Sequence, residues 1–274
     1  MFCDLHLHSH HSDGEFSPAH VVDLAADAGV GLIALTDHDT TAGIVEALTR
    51  SAERGIAAVS GIEMTAYAHG RVVHVLGYGF DPASGGIDRC NRRALDVWAD
   101  NTCTWVGALC DEGFDLRVHE VLSDRHVRLP VLIERLCARG VDDGDVGRCY
   151  ARFKDFFAAL PPEAYSRLPA PAAAAEAIRK AGGVAILAHP DRVGSDGLVE
   201  ALLADVDGIE ALYARYAPAD REALKLLAER DGKLYSCGSD YHGYFGGAYV
   251  NPRFEAPAAL LVRLGLQNRG GRSS

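Results

Sequence analysis

The residues able to do chemistry fall in a few short stretches. In MFCDLHLHSHHSDGE (residues 1–15), His6 and His8 alternate with Leu5 and Leu7. On a strand, residues two apart share a face, so both imidazoles point the same way. Asp13 follows in the next loop. TDHD (36–39) brings His38, GIE brings Glu63, VVHVLG brings His74 and AHPDR brings His189. GSDYHG adds Asp240 and His242, again two apart. Taken singly, each has an ordinary explanation: a strand histidine satisfied in the core, or a glutamate in a salt bridge. As a set, six histidines and three carboxylates are costly to bury unless cations neutralise the carboxylates and accept the imidazole lone pairs. Imidazole with carboxylate suits Zn, Mn or Fe. Nine side chains exceed the needs of one ion, whereas a bridging carboxylate would let them serve two or three.

The elements that must position these residues follow an α/β rhythm. FCDLHLH reads as a strand. SPAHVVDLAADAG (17–29) reads as a helix with Ser17 as N-cap, Pro18 in its first position and Gly29 as its stop. GLIALTD (31–37) is an apolar run of the kind found in parallel strands covered on both faces. A helix over 40–55, with Asp39 as its N-cap, and strands over 56–65 and 71–80 complete this half. The rhythm returns with helix 172–183, strand 184–190, helix GLVEALLADV, strand 208–213, helix 218–232 and strand 233–242. About seven strands in βα units predict a parallel barrel, with working residues at the C-terminal strand ends. All nine candidates fall at such ends except His74, which lies inside a strand. Between 83 and 167 the rhythm breaks into helices, expected to be an insertion over the barrel mouth. The expected division is therefore a barrel of 1–82 and 168–274 and a cap of 83–167.

The composition narrows the function. The net charge of −11 disfavours long nucleic acids and anionic membranes as partners. It leaves room for a small phosphorylated substrate. Asp4, His6 and His8 interrupt any early apolar run, so no signal peptide is expected, and no stretch is long enough to span a bilayer. The seven cysteines are scattered without CxxC spacing. They read as reduced thiols, and a cytoplasmic location is expected.

DLHLHSHHSDG, LTDHDT, GIE, VHVLGYG, LAHPDR and GSDYHG, in that order over residues 4–82 and 184–243, resemble the PHP (polymerase and histidinol phosphatase) superfamily of metal-dependent phosphoesterases. The motifs stand nearest its nucleotide- and cyclic-phosphate-hydrolysing members. The resemblance implies a distorted (β/α)7 TIM-like barrel with a trinuclear metal site of two to three divalent ions (Mn, Fe or Zn). By motif, His6, His8, Glu63 and Asp240 correspond to the ligands of one metal. Asp13, His38 and His242 correspond to those of a second, and Glu63, His74 and His189 to those of a third. Asp13 is preferred over its neighbours His10 and His11, which read as exposed loop histidines. Asp4 is expected to orient an imidazole through its ring N–H.

The implied activity is phosphoric ester hydrolysis, with Glu63, Asp240 and His242 at the reacting centre. A metal-bridging hydroxide is expected to attack phosphorus, while an arginine binds phosphoryl oxygens. Arg192, in AHPDR, is the first candidate, and Arg128, from the insertion, the second. Nucleotide-acting relatives carry an Arg-x-His-hydrophobic-Ala-Arg segment in the insertion. Here RLPVLIERLCARG (128–140) keeps Arg128 and Arg135 but not the histidine or alanine. The reading is thus a small phosphate monoester or cyclic phosphodiester of a nucleotide or sugar. The alternatives are 3′,5′-bisphosphonucleotide phosphatase, 5′-to-3′ exonuclease on short RNA, or a metal-free binding module.

Overall fold

The computed structural model describes residues 1–121, 127–193, 196–243 and 248–266. Its strands are β1 (Phe2–Leu7), β2 (Leu32–Leu35), β3 (Ala57–Ala68), β4 (Arg71–Tyr78), β5 (Val184–Leu187), β6 (Gly208–Tyr213), β7 (Leu234–Gly238) and β8 (Phe254–Glu255). They form one sheet in the order β7-β6-β5-β4-β3-β2-β1-β8. The sheet curls until the chain beyond β7 meets β1. Just beyond β7, Asp240 N donates to His6 O at 2.9 Å, and His8 N donates to Tyr241 O at 3.0 Å. LIAL of β2 and VAIL of β5 are buried throughout, as continuous apolar runs require in strands covered on both faces.

The helices around the barrel are α1 (Pro18–Asp27), α2 (Ile44–Arg54), α7 (Pro171–Lys180), α8 (Asp196–Leu203), α9 (Pro218–Arg230) and α10 (Ala258–Arg263). At α1 the Ser17 hydroxyl accepts from His20 N at 3.2 Å, and Pro18 occupies the first turn. One expectation fails beside α2. The helix starts at Ile44 with Gly43 as its cap, so Asp39 is not a helix cap. TTAG (40–43) forms a turn first.

The sheet is also not uniformly parallel. β4 runs antiparallel to both β3 and β5, and β8 antiparallel to β1. Only two residues, His69 and Gly70, join β3 to β4, with φ of 52° and 77°. Two positive φ values make a tight hairpin, whereas a parallel pair needs a long crossover. The reversal explains His74. Because β4 runs against its neighbours, its early residues reach the mouth, and His74 pairs with Thr65, beyond Glu63 on β3.

Between β4 and α7 lie α3 (Gly85–Asp111), α4 (Val118–Val121), α5 (Leu129–Cys137) and α6 (Val146–Ala159). Helix α3 has 27 residues, about 40 Å at 1.5 Å per residue. Its first half packs toward the barrel through Ile87, Ala94 and Val97. Its second half joins Leu132, Leu136, Cys149 and Phe157 in a separate apolar cluster around Trp105 and Leu109. Among the described residues, no helix is long and apolar enough to cross a membrane. All seven cysteines are free thiols.

Candidate metal centre

The barrel mouth gathers the polar residues singled out by the sequence. His6 is the penultimate residue of β1, and His8 follows its end. The loop that follows is tied down by Asp37. Its Oδ1 accepts from Ser9 N and Ser12 Oγ, both at 2.7 Å, and its Oδ2 from Ser9 Oγ at 2.7 Å. This anchoring aims Asp13 inward and leaves His10 exposed and His11 half-buried. His38 follows β2, Glu63 lies in β3, and His189 and Asp240 follow β5 and β7. Asp240 has a φ of 56°, a left-handed conformation that costs a non-glycine residue about 1–3 kcal/mol and concentrates at functional sites.

Glu63 is at the centre, fully buried. Its Oε2 lies 2.9 Å from His6 Nε2, 3.1 Å from His8 Nε2 and 3.5 Å from His38 Nε2. Its Oε1 lies 2.9 Å from both His74 Nδ1 and His189 Nε2. Asp240 Oδ1 is 3.4 Å from His6 Nε2 and 3.3 Å from His8 Nε2. Asp13 Oδ2 is 3.1 Å from His242 Nε2 and 3.8 Å from His38 Nε2. Three groups have donor atoms within 4.8 Å of one another: His6, His8, Glu63 and Asp240; His8, Asp13, His38 and His242; and His38, Glu63 and His74. His189 completes a further triangle, 3.4 Å from His74 Nδ1. The structure thus brings all nine sequence candidates together, and adds His8 to the second expected set and His38 to the third.

The donors suit cations. His8 is buried, yet among the described residues neither of its ring nitrogens has a hydrogen-bond partner. The carboxylate oxygens near its Nε2 are in reach but not in hydrogen-bond geometry. Leaving two buried ring nitrogens unsatisfied is expensive without a ligand to take a lone pair. Burial opposes charge on His6, but Glu210, Glu63 and Asp240 hold its pKa well above the ordinary imidazole value. Burial likewise opposes charge on His8, and the oxygens of Asp240 and Glu63 with the charge of Asp13 still raise it to about 10. Burial would raise the Glu63 and Asp240 carboxyls, yet the surrounding imidazoles hold both well below the usual carboxylate range. Ionised carboxylates inside the barrel therefore draw positive charge to this spot. Divalent cations supply it and leave the imidazole lone pairs free to coordinate.

Support for the cluster comes largely from two residues of β6, Glu210 and Tyr213, which the sequence did not single out. Glu210 is fully buried; its Oε1 is 2.9 Å from His6 Nδ1 and its Oε2 accepts from His189 N at 2.8 Å. Tyr213 donates its hydroxyl to Asp240 Oδ2 at 2.7 Å. Gly238 makes room for this packing, since a Cβ there would collide with the Cβ of His6. Asp4 does not orient an imidazole as expected. Its Oδ1 accepts from Ser239 N at 2.9 Å and its Oδ2 from Tyr249 OH at 2.7 Å. It fastens the strand end carrying Asp240, and Glu210 has the imidazole-orienting contact. Asp39 accepts from Thr65 N at 2.8 Å and Thr65 Oγ1 at 2.6 Å. Burial pushes its carboxyl up to about 6 despite those bonds.

A cavity of about 760 Å³ opens over the cluster. Asp13, His38, His74, Asp240 and His242 line its floor, and Leu95, Trp98, Val127, Leu129, Tyr150 and Phe153 from the insertion line an apolar wall. Arg128 caps α5 between two of these wall residues and is half-buried, but it is not among the described residues that line the cavity. The side chain of Arg192 lies outside the described residues.

A curled βα sheet with imidazoles and carboxylates converging at its mouth is the architecture of a metal-dependent hydrolase. Residues 4–144 match the PHP domain, and the chain belongs to the PHP family of metal-dependent phosphoesterases. It is 31% identical over 265 residues to a 3′,5′-nucleoside bisphosphate phosphatase of Chromobacterium violaceum, covering 87% of this chain and 86% of that protein. It is 30% identical over 252 residues to a phosphoribosyl 1,2-cyclic phosphate 1,2-diphosphodiesterase of Eggerthella lenta, covering 90% and 96%. A 5′-3′ exoribonuclease of Haemophilus influenzae is 31% identical over 254 residues, covering 87% and 89%. Among solved structures, a protein of Chromobacterium violaceum described as an amidohydrolase superposes with a TM-score of 0.79 at 29% identity, covering 96% of this chain and 97% of that one.

Proposed function

We propose that this enzyme hydrolyses a small phosphate monoester or cyclic phosphodiester of a nucleotide or sugar, using two to three divalent cations (Mn, Fe or Zn). The observation that carries the reading is Glu63, one buried carboxylate whose two oxygens face five imidazoles beneath an open cavity. His6, His8, Glu63 and Asp240 would hold one ion; Asp13, His38 and His242, with His8, a second; Glu63, His74 and His189, with His38, a third. Such ions acidify water and neutralise charge on a phosphoryl group.

The chain's own residues do the rest. Glu63, Asp240 and His242 border the phosphorus to be attacked. Tyr213 fixes the Asp240 carboxylate, and Glu210 fixes His6 and the His189 backbone, so the cluster keeps its shape through a reaction cycle. Water becomes the acceptor of the phosphoryl group: its oxygen bonds to phosphorus, the ester P–O bond breaks and the leaving oxygen takes a proton. Arg192, three positions after His189 in the sequence, and Arg128, in the cap, are the phosphoryl contacts expected from sequence. Residues 83–167 act in this reading as a cap over a barrel of 1–82 and 168–274. Its wall of Trp98, Tyr150 and Phe153 suits a flat nucleobase better than a bare sugar, and this favours a nucleotide substrate. The relatives acting on nucleoside bisphosphates and on RNA are consistent with that choice. The net charge of −11 argues for short substrates over long nucleic acid. The location consistent with the free thiols is cytoplasmic.

A panel of p-nitrophenyl phosphate, adenosine 3′,5′-bisphosphate, a cyclic ribose phosphate and short 5′-phosphorylated RNA tests this. With Mn, Fe or Zn supplied, at least one small ester should be turned over more than about 10³-fold above buffer, and a chelator should abolish it. Turnover of none, or turnover indifferent to the chelator, would overturn the reading.

A further inference from the structure

Arg215 lies just past β6, in the turn leading to α9. It is the one arginine or lysine among the described residues that line the cavity over the candidate metal centre. Its Nη2 donates to the backbone oxygen of Asp240 at 3.3 Å and lies 3.8 Å from Asp240 Oδ2. The guanidinium carbon sits 5.8 Å from the centre of the Tyr213 ring, within range of a cation–π contact.

This is a poor design for an ion pair that only serves the fold. Asp240 is 2% exposed, whereas the Arg215 side chain is 59% exposed. The Asp240 Oδ2 oxygen already accepts from Tyr213, and 3.8 Å is too long for a hydrogen bond. A mostly exposed pair of this kind adds little stability. The contacts instead hold one nitrogen of the guanidinium, Nη2, at the rim of the cluster. Its Nε and Nη1 groups have no hydrogen-bond or ion-pair partner among the described residues, and the side chain lines the cavity. A planar fork can bind two phosphoryl oxygens at once, which a lysine ammonium cannot copy.

The geometry points to Arg215 as a substrate-binding residue that clamps the phosphoryl group under attack, reaching it from the barrel side. This rests on the phosphoester reading above and deepens it. The position specifies which phosphate is held. A group within 4 Å of Asp240, itself in contact with His6 and His8, meets the phosphate at the cations rather than one further along the substrate. The apolar wall of the insertion then holds the other end. The sequence offered no sign of this role, because Arg215 stands outside every motif and reaches the centre only through the path of the turn after β6.

The test uses the full, metal-replete chain with the panel substrate it turns over best. Arg215→Ala and Arg215→Lys should each lower kcat/KM by about 10- to 100-fold, the scale of losing a charge-assisted contact. The inhibition constant for inorganic phosphate should rise in parallel, with metal content and Tm unchanged. The lysine variant should recover little, since the fork is lost. An active wild type with both variants within about twofold in kcat/KM and phosphate inhibition overturns this inference alone. Loss of metal in step with activity also overturns it, making Arg215 a support for Asp240. A wild type that neither hydrolyses any ester nor binds phosphate overturns the phosphoester reading and this inference together.

Discussion

Glu63→Gln is expected to lower kcat/KM by on the order of 10³-fold, the scale of removing one group that stabilises charge in a dry site. Among the described residues, no other side chain touches so much of the cluster. Oε2 faces His6, His8 and His38, and Oε1 faces His74 and His189. The amide preserves size, so packing against the fully buried neighbours is retained and the core has no reason to collapse. What it removes is the charge and one of two equivalent acceptor oxygens, and an amide bridges cations poorly. The accompanying signature is loss of bound metal with a folded barrel. Near-wild-type turnover with full metal content would show that Glu63 does not bridge ions. Replacement of any single histidine should be milder, because each imidazole faces one or two of the groups that Glu63 joins.

Asp13→Ala should lower kcat/KM by about 10²-fold or more and empty one metal position, whereas His10→Ala and His11→Ala should stay within about twofold, as surface changes do. The contrast matters because all three residues share the loop HSHHSD. Asp13 is drawn into the centre, 3.1 Å from His242 Nε2 and 3.4 Å from His8 Nδ1. Burial would raise its carboxyl, yet His242 and its neighbours hold it well below the usual range. His10 is exposed, and His11 packs with it at a ring-centroid distance of 4.8 Å. Activity and metal content quantified for the three variants decide the matter. The opposite order would mean that the loop presents a histidine to the cations and not Asp13.

The parts of this site legible in the sequence were those whose residue types are out of place. Imidazoles on a buried strand and acids at strand ends have no cheap structural role, so nine of them in order betrayed a common purpose. The supporting residues gave no such signal. Glu210 sits in GIEALY, where one acid between apolar residues fits an ordinary half-buried strand. Its partner His6 is 204 positions away, and only the closing of the barrel brings them together. Asp4 shows the limit of alternation as a guide. It lies two residues before His6, but the β1–β2 register shifts between Asp4 and Leu7, and the carboxylate turns to Ser239 and Tyr249. Asp39 followed by Thr40 looked like a helix start, but the turn over 40–43 postpones the helix and Thr65 takes the carboxylate. The antiparallel β4 was hidden in the rhythm of βα units, although the short AHG link at 68–70 contains the tight hairpin that dictates it.

The measurement that bears most directly on a polynuclear phosphoesterase is the metal content of the purified full chain after growth with Mn, Fe and Zn, by elemental analysis against protein concentration. Two to three divalent ions per chain are expected, consistent with donor groups that share Glu63, His8 and His38. Activity should vanish on chelation and return on resupply. A content below about one ion per chain that resupply cannot raise would contradict the account, since nine inward-facing donors built for several cations would then be holding none.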